Sequence, residues 1–242
     1  MLASTIPCVV AYDPAFAYEV ATIIKDGLKR MYVDGEDVFY YLTLYNQDYP
    51  MPAMPTGVED GILKGMYLFR AGVKKPKAPR VQLLGSGTIF REVIEAATLL
   101  KDDWGVESDL WSCPSFTELA RDGMAVARGN LLDPTAVPNL PHVAQCLTGT
   151  HGPVIAATDY IRAFAEQIRA FVPRRYVVLG TDGFGRSDTR EKLRRFFEVD
   201  RHYVTVAALK ALADEGALPA AKAAEAMKKY GIDPAKPAPW TV

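Results

Sequence analysis

Residues 176–200, YVVLGTDGFGRSDTREKLRRFFEVD, decide the fold. Tyr176-Val177-Val178-Leu179 is a short apolar run and reads as a buried strand. Gly180, Gly183 and Gly185 break the run, with Asp182 and Ser187 among them. Ser187 or Asp188 is placed to cap a helix, and Glu191 falls in its first turn, where an acid suits the helix dipole. Leu193, Phe196 and Phe197 give that helix an apolar face. The chain therefore leaves a sheet, crosses a glycine-rich corner and enters a helix. Open α/β sheets place their sites at such corners, at the carboxyl ends of strands. Two readings stand side by side. In one, the glycines only relieve crowding in a tight turn. In the other, Gly180–Ser187 is a backbone nest for a phosphate or carboxylate.

The same alternation continues outward. Upstream, Pro153–Ala157 reads as a strand, and Thr158-Asp159 caps a helix predicted to run through Phe171. His142–Leu147 reads as a short helix after a proline-studded loop, Pro134 to Pro141. Val106–Cys113 reads as a strand, followed by Ser115 and Glu118 at capping-box spacing. Arg80–Leu84 is a strand, and Gly85-Ser86-Gly87 opens a helix to about Asp103. Downstream, the last fifth is helical and alanine-rich, with Gly216 and Gly231 as stops. Strands alternating with helices argue a mainly parallel sheet, of about five strands over residues 79–242.

The N-terminal stretch is different. Pro7–Tyr12 reads as a strand, Asp13-Pro14 starts a helix to about Tyr32, and Val38–Leu44 reads as a second strand. This is one βαβ unit, so its strands are expected to be parallel. One such unit is not a domain, and residues 1–50 read as the remnant of a larger sheet. Val9, Val10, Leu42 and Leu44 are then expected on strands with unpaired, exposed edges. Residues 51–78 are rich in proline and glycine and read as a connector. It carries a short helix near Val58–Lys64, a short strand at Met66–Phe69 and an exposed loop at Lys74-Lys75-Pro76-Lys77.

Composition excludes several classes. The 242 residues are 49% hydrophobic, enough for a sizeable core. Net charge is -1 without blocks of one sign, which argues against a nucleic-acid surface. No apolar stretch is long enough to span a membrane. Cys8, Cys113 and Cys146 are odd in number and far apart, which suits a reducing cytoplasm, and no leader peptide is evident at Met1-Leu2-Ala3. His142, His151 and His202 are scattered, with no metal-ligand spacing. Gly85-Ser86-Gly87 fails as a dinucleotide fingerprint because Phe90 stands where the third glycine belongs. It is left as a structural turn or a site shared with another chain.

Longer stretches carry a resemblance. YDPAFAYEV (12–20), MPAMPTGVEDGILKGMY (51–67), VQLLGSGTIFREV (81–93), SFTELARDG (115–123) and LGTDGFGRSDTRE (179–191) resemble, in this order, the C-terminal part of the homodimeric bacterial pyruvate dehydrogenase first component. The resemblance implies a transketolase-like α/β fold, with the end of the pyrimidine-binding middle domain at 1–50 and the C-terminal domain at 79–242. It implies a full-length enzyme that decarboxylates pyruvate on thiamine diphosphate and magnesium and reductively acetylates the lipoyl group of a dihydrolipoyl acetyltransferase. The family's GDG…N cofactor motif and its catalytic glutamate lie outside these residues. The chain by itself is therefore expected to bind neither cofactor nor metal and to serve in support and dimer contact. Tyr12, Asn46 and Tyr49 are candidates for the substrate pocket of the full enzyme. The competing reading for Tyr12 and Asn46 is a satisfied polar residue at a strand end. Pro50 stands where related enzymes can carry a histidine, so no catalytic histidine is assigned there.

Overall fold

In the computed structural model, which describes residues 2–75 and 78–242, the chain forms two sheets. The larger has five strands in the order β3 (Tyr67–Arg70), β5 (Glu107–Ser112), β4 (Arg80–Gly85), β6 (Val154–Ala157), β7 (Tyr176–Leu179). All pairs are parallel except β3–β5, so the expected five-stranded, mostly parallel α/β sheet is present. The strand placed in the connector by the sequence is thus the antiparallel edge of this sheet. Pro76 and Lys77 of the expected exposed loop lie outside the described residues.

Alternation along each strand divides the core into two layers. Val81, Leu83, Ile155 and Ala157 face α3 (Phe90–Trp104), α8 (Arg201–Asp214) and α9 (Ala221–Lys229). Leu84, Val154, Ala156, Tyr176 and Val178 face the opposite layer, where α4 (Phe116–Leu132), α5 (His142–Leu147) and α6 (Arg162–Glu166) pack. Successive side chains of a strand point to opposite faces, and a parallel sheet is covered on both. Caps follow the sequence in part. Ser115 Oγ accepts from Glu118 N at 3.0 Å, but Glu118 turns to Arg121 rather than closing the box. Thr189, not Ser187 or Asp188, caps α7 (Arg190–Phe196). The helix expected through Phe171 stops at Glu166 and resumes as one 3-10 turn at Arg169–Phe171.

The smaller sheet is β1 (Val9–Tyr12) paired in parallel with β2 (Phe39–Leu42), joined by α1 (Ala17–Leu28) and a π-helical turn at Lys29–Val33. The expectation of an exposed β1 edge is overturned: Val9 and Val10 are each 2% exposed. The elements leading into and through α4 cover that edge. Arg121 donates to the carbonyls of Ile6 (2.9 Å) and Val9 (2.6 Å), Ser115 Oγ donates to Ala11 O (2.6 Å), and Asp13 N donates to Pro114 O (2.7 Å). Arg121 thus supplies the partners that a neighbouring strand would otherwise give. Leu42 is half-buried against Val10, Tyr12, Ile23, Ile62 and Tyr67. Only Leu44, 68% exposed, meets the expectation.

Candidate functional site

A two-stranded sheet is marginal by itself, so its attachment to the larger sheet defines the molecule. Two buried carboxylates make that attachment. Asp13 ends β1, and its Oδ1 accepts from Thr43 Oγ1 (2.7 Å) and Tyr45 Oη (2.5 Å), both just past β2. Its Oδ2 accepts from Ser86 Oγ (2.8 Å), at the end of β4. Gly87 N donates to the Asp13 carbonyl at 3.0 Å. Gly87 is necessary here: its φ is +48°, and a Cβ would stand 2.6 Å from both carboxylate oxygens. Gly85-Ser86-Gly87 is therefore the seat of Asp13, a structural turn whose partner comes from the same chain.

Glu19, in the first turn of α1, is the second anchor. Its Oε2 accepts from the backbone of Ala15 and Phe16, and its Oε1 from Tyr67 Oη (2.6 Å) and Ser112 Oγ (2.6 Å), on β3 and β5. Tyr18 Oη lies 2.6 Å from Tyr67 Oη. Four donors on one carboxylate satisfy it without a counter-charge. Burial pushes the carboxyls of Asp13 and Glu19 above their usual range, and these hydrogen bonds oppose the shift. Beside them Phe16, Phe69 and Phe90 form an aromatic cluster across the junction, with centroids 5.3–5.8 Å apart.

The residues singled out in the sequence are distributed around this junction. Tyr12 lines a cavity of about 450 Å³ with Val9, Ala11, Tyr41, Thr43 and Phe164, but its hydroxyl donates to Leu63 O at 2.8 Å. The Tyr49 hydroxyl donates to Ala15 O, and its ring carries the Arg91 guanidinium at 4.5 Å. Asn46 Oδ1 accepts from Arg190 at 2.8 Å. A second cavity, about 280 Å³, brings together the two loops read separately in the sequence. Tyr45 lines it from one side, Gly183, Gly185 and Arg186 from the other, with Thr88, Asp159, Arg190 and Arg194 between.

Within the Gly180–Ser187 corner the glycines differ. A Cβ at Gly180 would meet Tyr160 O and Arg162 N at 2.6 Å, and one at Gly183 would meet Pro239 O at 2.5 Å, whereas Gly185 has open space. Asp182 pairs with the Arg162 guanidinium and accepts from Arg162 N at 3.1 Å. Ser187 is exposed and does not serve as the helix cap. Sequence reasoning missed Asp13 and Glu19 as anchors and Arg190 and Arg194 as cavity walls. The one local signal for Asp13 was an acid at the end of an apolar strand; its partner Ser86 lies 73 positions away.

The family model for the transketolase-like C-terminal domain matches residues 65–200. The chain belongs to the transketolase-like C-terminal domain family. Residues 1–52 match the pyruvate dehydrogenase E1 component middle domain. This transketolase-like chain is 69% identical over 99% of its length to the pyruvate dehydrogenase E1 component of Cupriavidus necator, and 53% identical over 95% to that of Escherichia coli K12. It spans about a quarter of those relatives, 27% and 26%. Among solved structures, a transketolase mutant from Pichia stipitis gives a TM-score of 0.57 at 17% identity, over 87% of this chain and 26% of that one. A split-gene transketolase described as an inactive beta4 tetramer gives 0.55 at 18% identity, over 88% and 60%. These structural likenesses speak to the fold. Among the described residues no helix is long and apolar enough to cross a membrane, and no group of three potential metal ligands occurs.

Proposed function

We propose that this chain supplies the end of the middle domain (1–50), a connector (51–78) and the C-terminal domain (79–242) of a pyruvate dehydrogenase E1 component. The observation that carries this is the match along nearly the whole chain, in which the middle-domain and C-terminal models fall in order. The reaction assigned to the whole enzyme is decarboxylation of pyruvate with transfer of the acetyl group to the lipoyl group of a dihydrolipoyl acetyltransferase, in the cytoplasm and as a homodimer. Thiamine diphosphate supplies the carbanion chemistry. The buried carboxylates of this chain nearest the proposed pocket, Asp13 and Glu19, already accept hydrogen bonds from within the chain. By the family resemblance the cofactor and magnesium are assigned to residues outside this chain, and the 242 residues alone are assigned no catalysis.

The chain's own contribution is positional. Asp13 fixes the strand ends carrying Tyr12 and Tyr45, Asn46 and Tyr49 follow on the same loop, and these three (Tyr12, Asn46, Tyr49) are proposed for the wall of the pyruvate pocket. Asn46 is the best placed, since among the described residues no protein acceptor takes its amide nitrogen and its carbonyl is held by Arg190. A chimera tests the reading: this chain replaces the corresponding quarter of the Cupriavidus necator protein, and carbon dioxide release from pyruvate is followed. Pyruvate-dependent release is expected. A chimera that folds, dimerises and binds thiamine diphosphate but releases none would overturn it. Calorimetry on the chain alone, with cofactor and magnesium, is expected to show no micromolar site.

A further inference from the structure

We infer that the 280 Å³ cavity between Tyr45 and the Gly180–Ser187 corner binds the dianionic phosphoryl group of a small phosphorylated metabolite. Its lining includes three arginines, Arg186, Arg190 and Arg194, against one acid, Asp159. Arg194 is fixed. Its side chain is 11% exposed and is held by Glu92 Oε1 (2.9 Å) and Thr88 Oγ1 (2.8 Å). Glu92 also takes Arg201 at 2.9 Å, and Arg201 reaches Glu95 at 3.4 Å, so this cluster is charge-balanced and the surplus positive charge at the cavity rests on Arg186 and Arg190.

Arg186 and Arg190 have no acidic partner among the described residues. Arg186 lies over the Phe196 ring at 4.6 Å, and Arg190 reaches only the neutral carbonyl of Asn46. Thr88 Oγ1 accepts from Arg194 and keeps its own proton to donate. Two guanidiniums without acidic partners and a hydroxyl offer more donors than Asp159 accepts, and a phosphoryl group has the oxygens to take them. The volume, about 280 Å³, falls just below the range of small-molecule pockets, which run from about 300 Å³ upward, so the rest of the ligand is small. Because Arg190 spends its bond on Asn46, the anion draws on the residue that holds the 45–49 loop. Ligand binding is thereby coupled to the strand end proposed to face pyruvate, although the site itself does not depend on that proposal.

The test is calorimetric titration of the chain with inorganic phosphate at low ionic strength, against chloride and acetate. Phosphate is expected to bind and the other two are not. Arg186→Gln and Arg190→Gln, both exposed, are each expected to weaken it about tenfold, as loss of a hydrogen bond to a charged group does, with thermal unfolding in the absence of phosphate unchanged. Lys74→Gln with Lys75→Gln, in a basic loop elsewhere, is expected to leave binding intact. Hydrogen exchange of residues 45–49 is expected to change on phosphate addition in the parent and not in Arg190→Gln. Phosphate no better than chloride, acetate binding equally well, or binding lost with the two lysines but not the arginines would each overturn the site.

Discussion

The two sheets are held by opposite means. The five-stranded sheet is covered on both faces, and β6 is buried at every position. Its stability comes from apolar side chains meeting helices. The β1–β2 pair has one covered strand and one that alternates between exposed and half-buried. It stays in place through Asp13, Glu19, Arg121 and Ser115, polar groups that reach partners far away in the chain, together with the Phe16–Phe69–Phe90 cluster. A small unit with little area to bury gains a fixed orientation from a few buried hydrogen bonds, whose loss leaves donors stranded.

The largest expected effect is that of Glu19→Ala. It strands the hydroxyls of Tyr67 and Ser112 and the amides of Ala15 and Phe16, at a cost of about 4 kcal/mol. In urea, the fluorescence of Trp104 and Trp111, both in the larger unit, is expected to report a later transition than far-ultraviolet dichroism. Leu84→Ala, a core cavity worth about 3 kcal/mol, should shift both probes together. Coincident transitions in Glu19→Ala would break the contrast between the two regions.

Gly87→Ala sharpens it. The added methyl meets the Asp13 carboxylate and the backbone is held at positive φ, so a loss of roughly 2 kcal/mol is expected, read from the urea midpoint.

The pH dependence separates the regions by sign. Asp13 and Glu19 have folded-state values raised above 3.8 and 4.5, chiefly by burial. Between the unfolded and folded values the native state holds more protons, so their contribution is fullest below the unfolded values and falls as pH rises through the folded ones. Glu92 behaves oppositely. Burial raises its value, but Arg201 and Arg194 outweigh this and lower it below 4.5. Its contribution is present above the unfolded value and is lost as pH falls through the folded one. In Asp13→Asn the decline as pH rises above the ordinary carboxylate range should be shallower, while the acid loss set by Glu92 persists. An unchanged high-pH decline in chemical denaturation would show that Asp13 does not set it.

The smallest effect belongs to the open side of β2. Tyr41→Lys and Leu44→Lys remove exposed apolar groups and should change stability by less than about 0.5 kcal/mol in thermal unfolding. A loss comparable to Leu84→Ala would show that this face is packed.

Sequence alone determined the sheet of alternating strands and helices, the parallel β1–β2 pair and the Ser115 cap. Each is written in a few neighbouring residues, where apolar spacing and local hydrogen bonding decide the outcome. It also gave the glycine corner and the long family blocks. Tertiary structure alone decided that β3 closes the edge of the larger sheet, that α4 covers β1, and that Asp13 seats on Gly85-Ser86-Gly87. It also joined Asn46 to Arg190, 144 positions away. An acid, a serine and a glycine have no periodicity with which to announce one another across such distances. Their pairing follows from burial, which makes every polar group find a partner wherever the packed helices and strands bring one within reach.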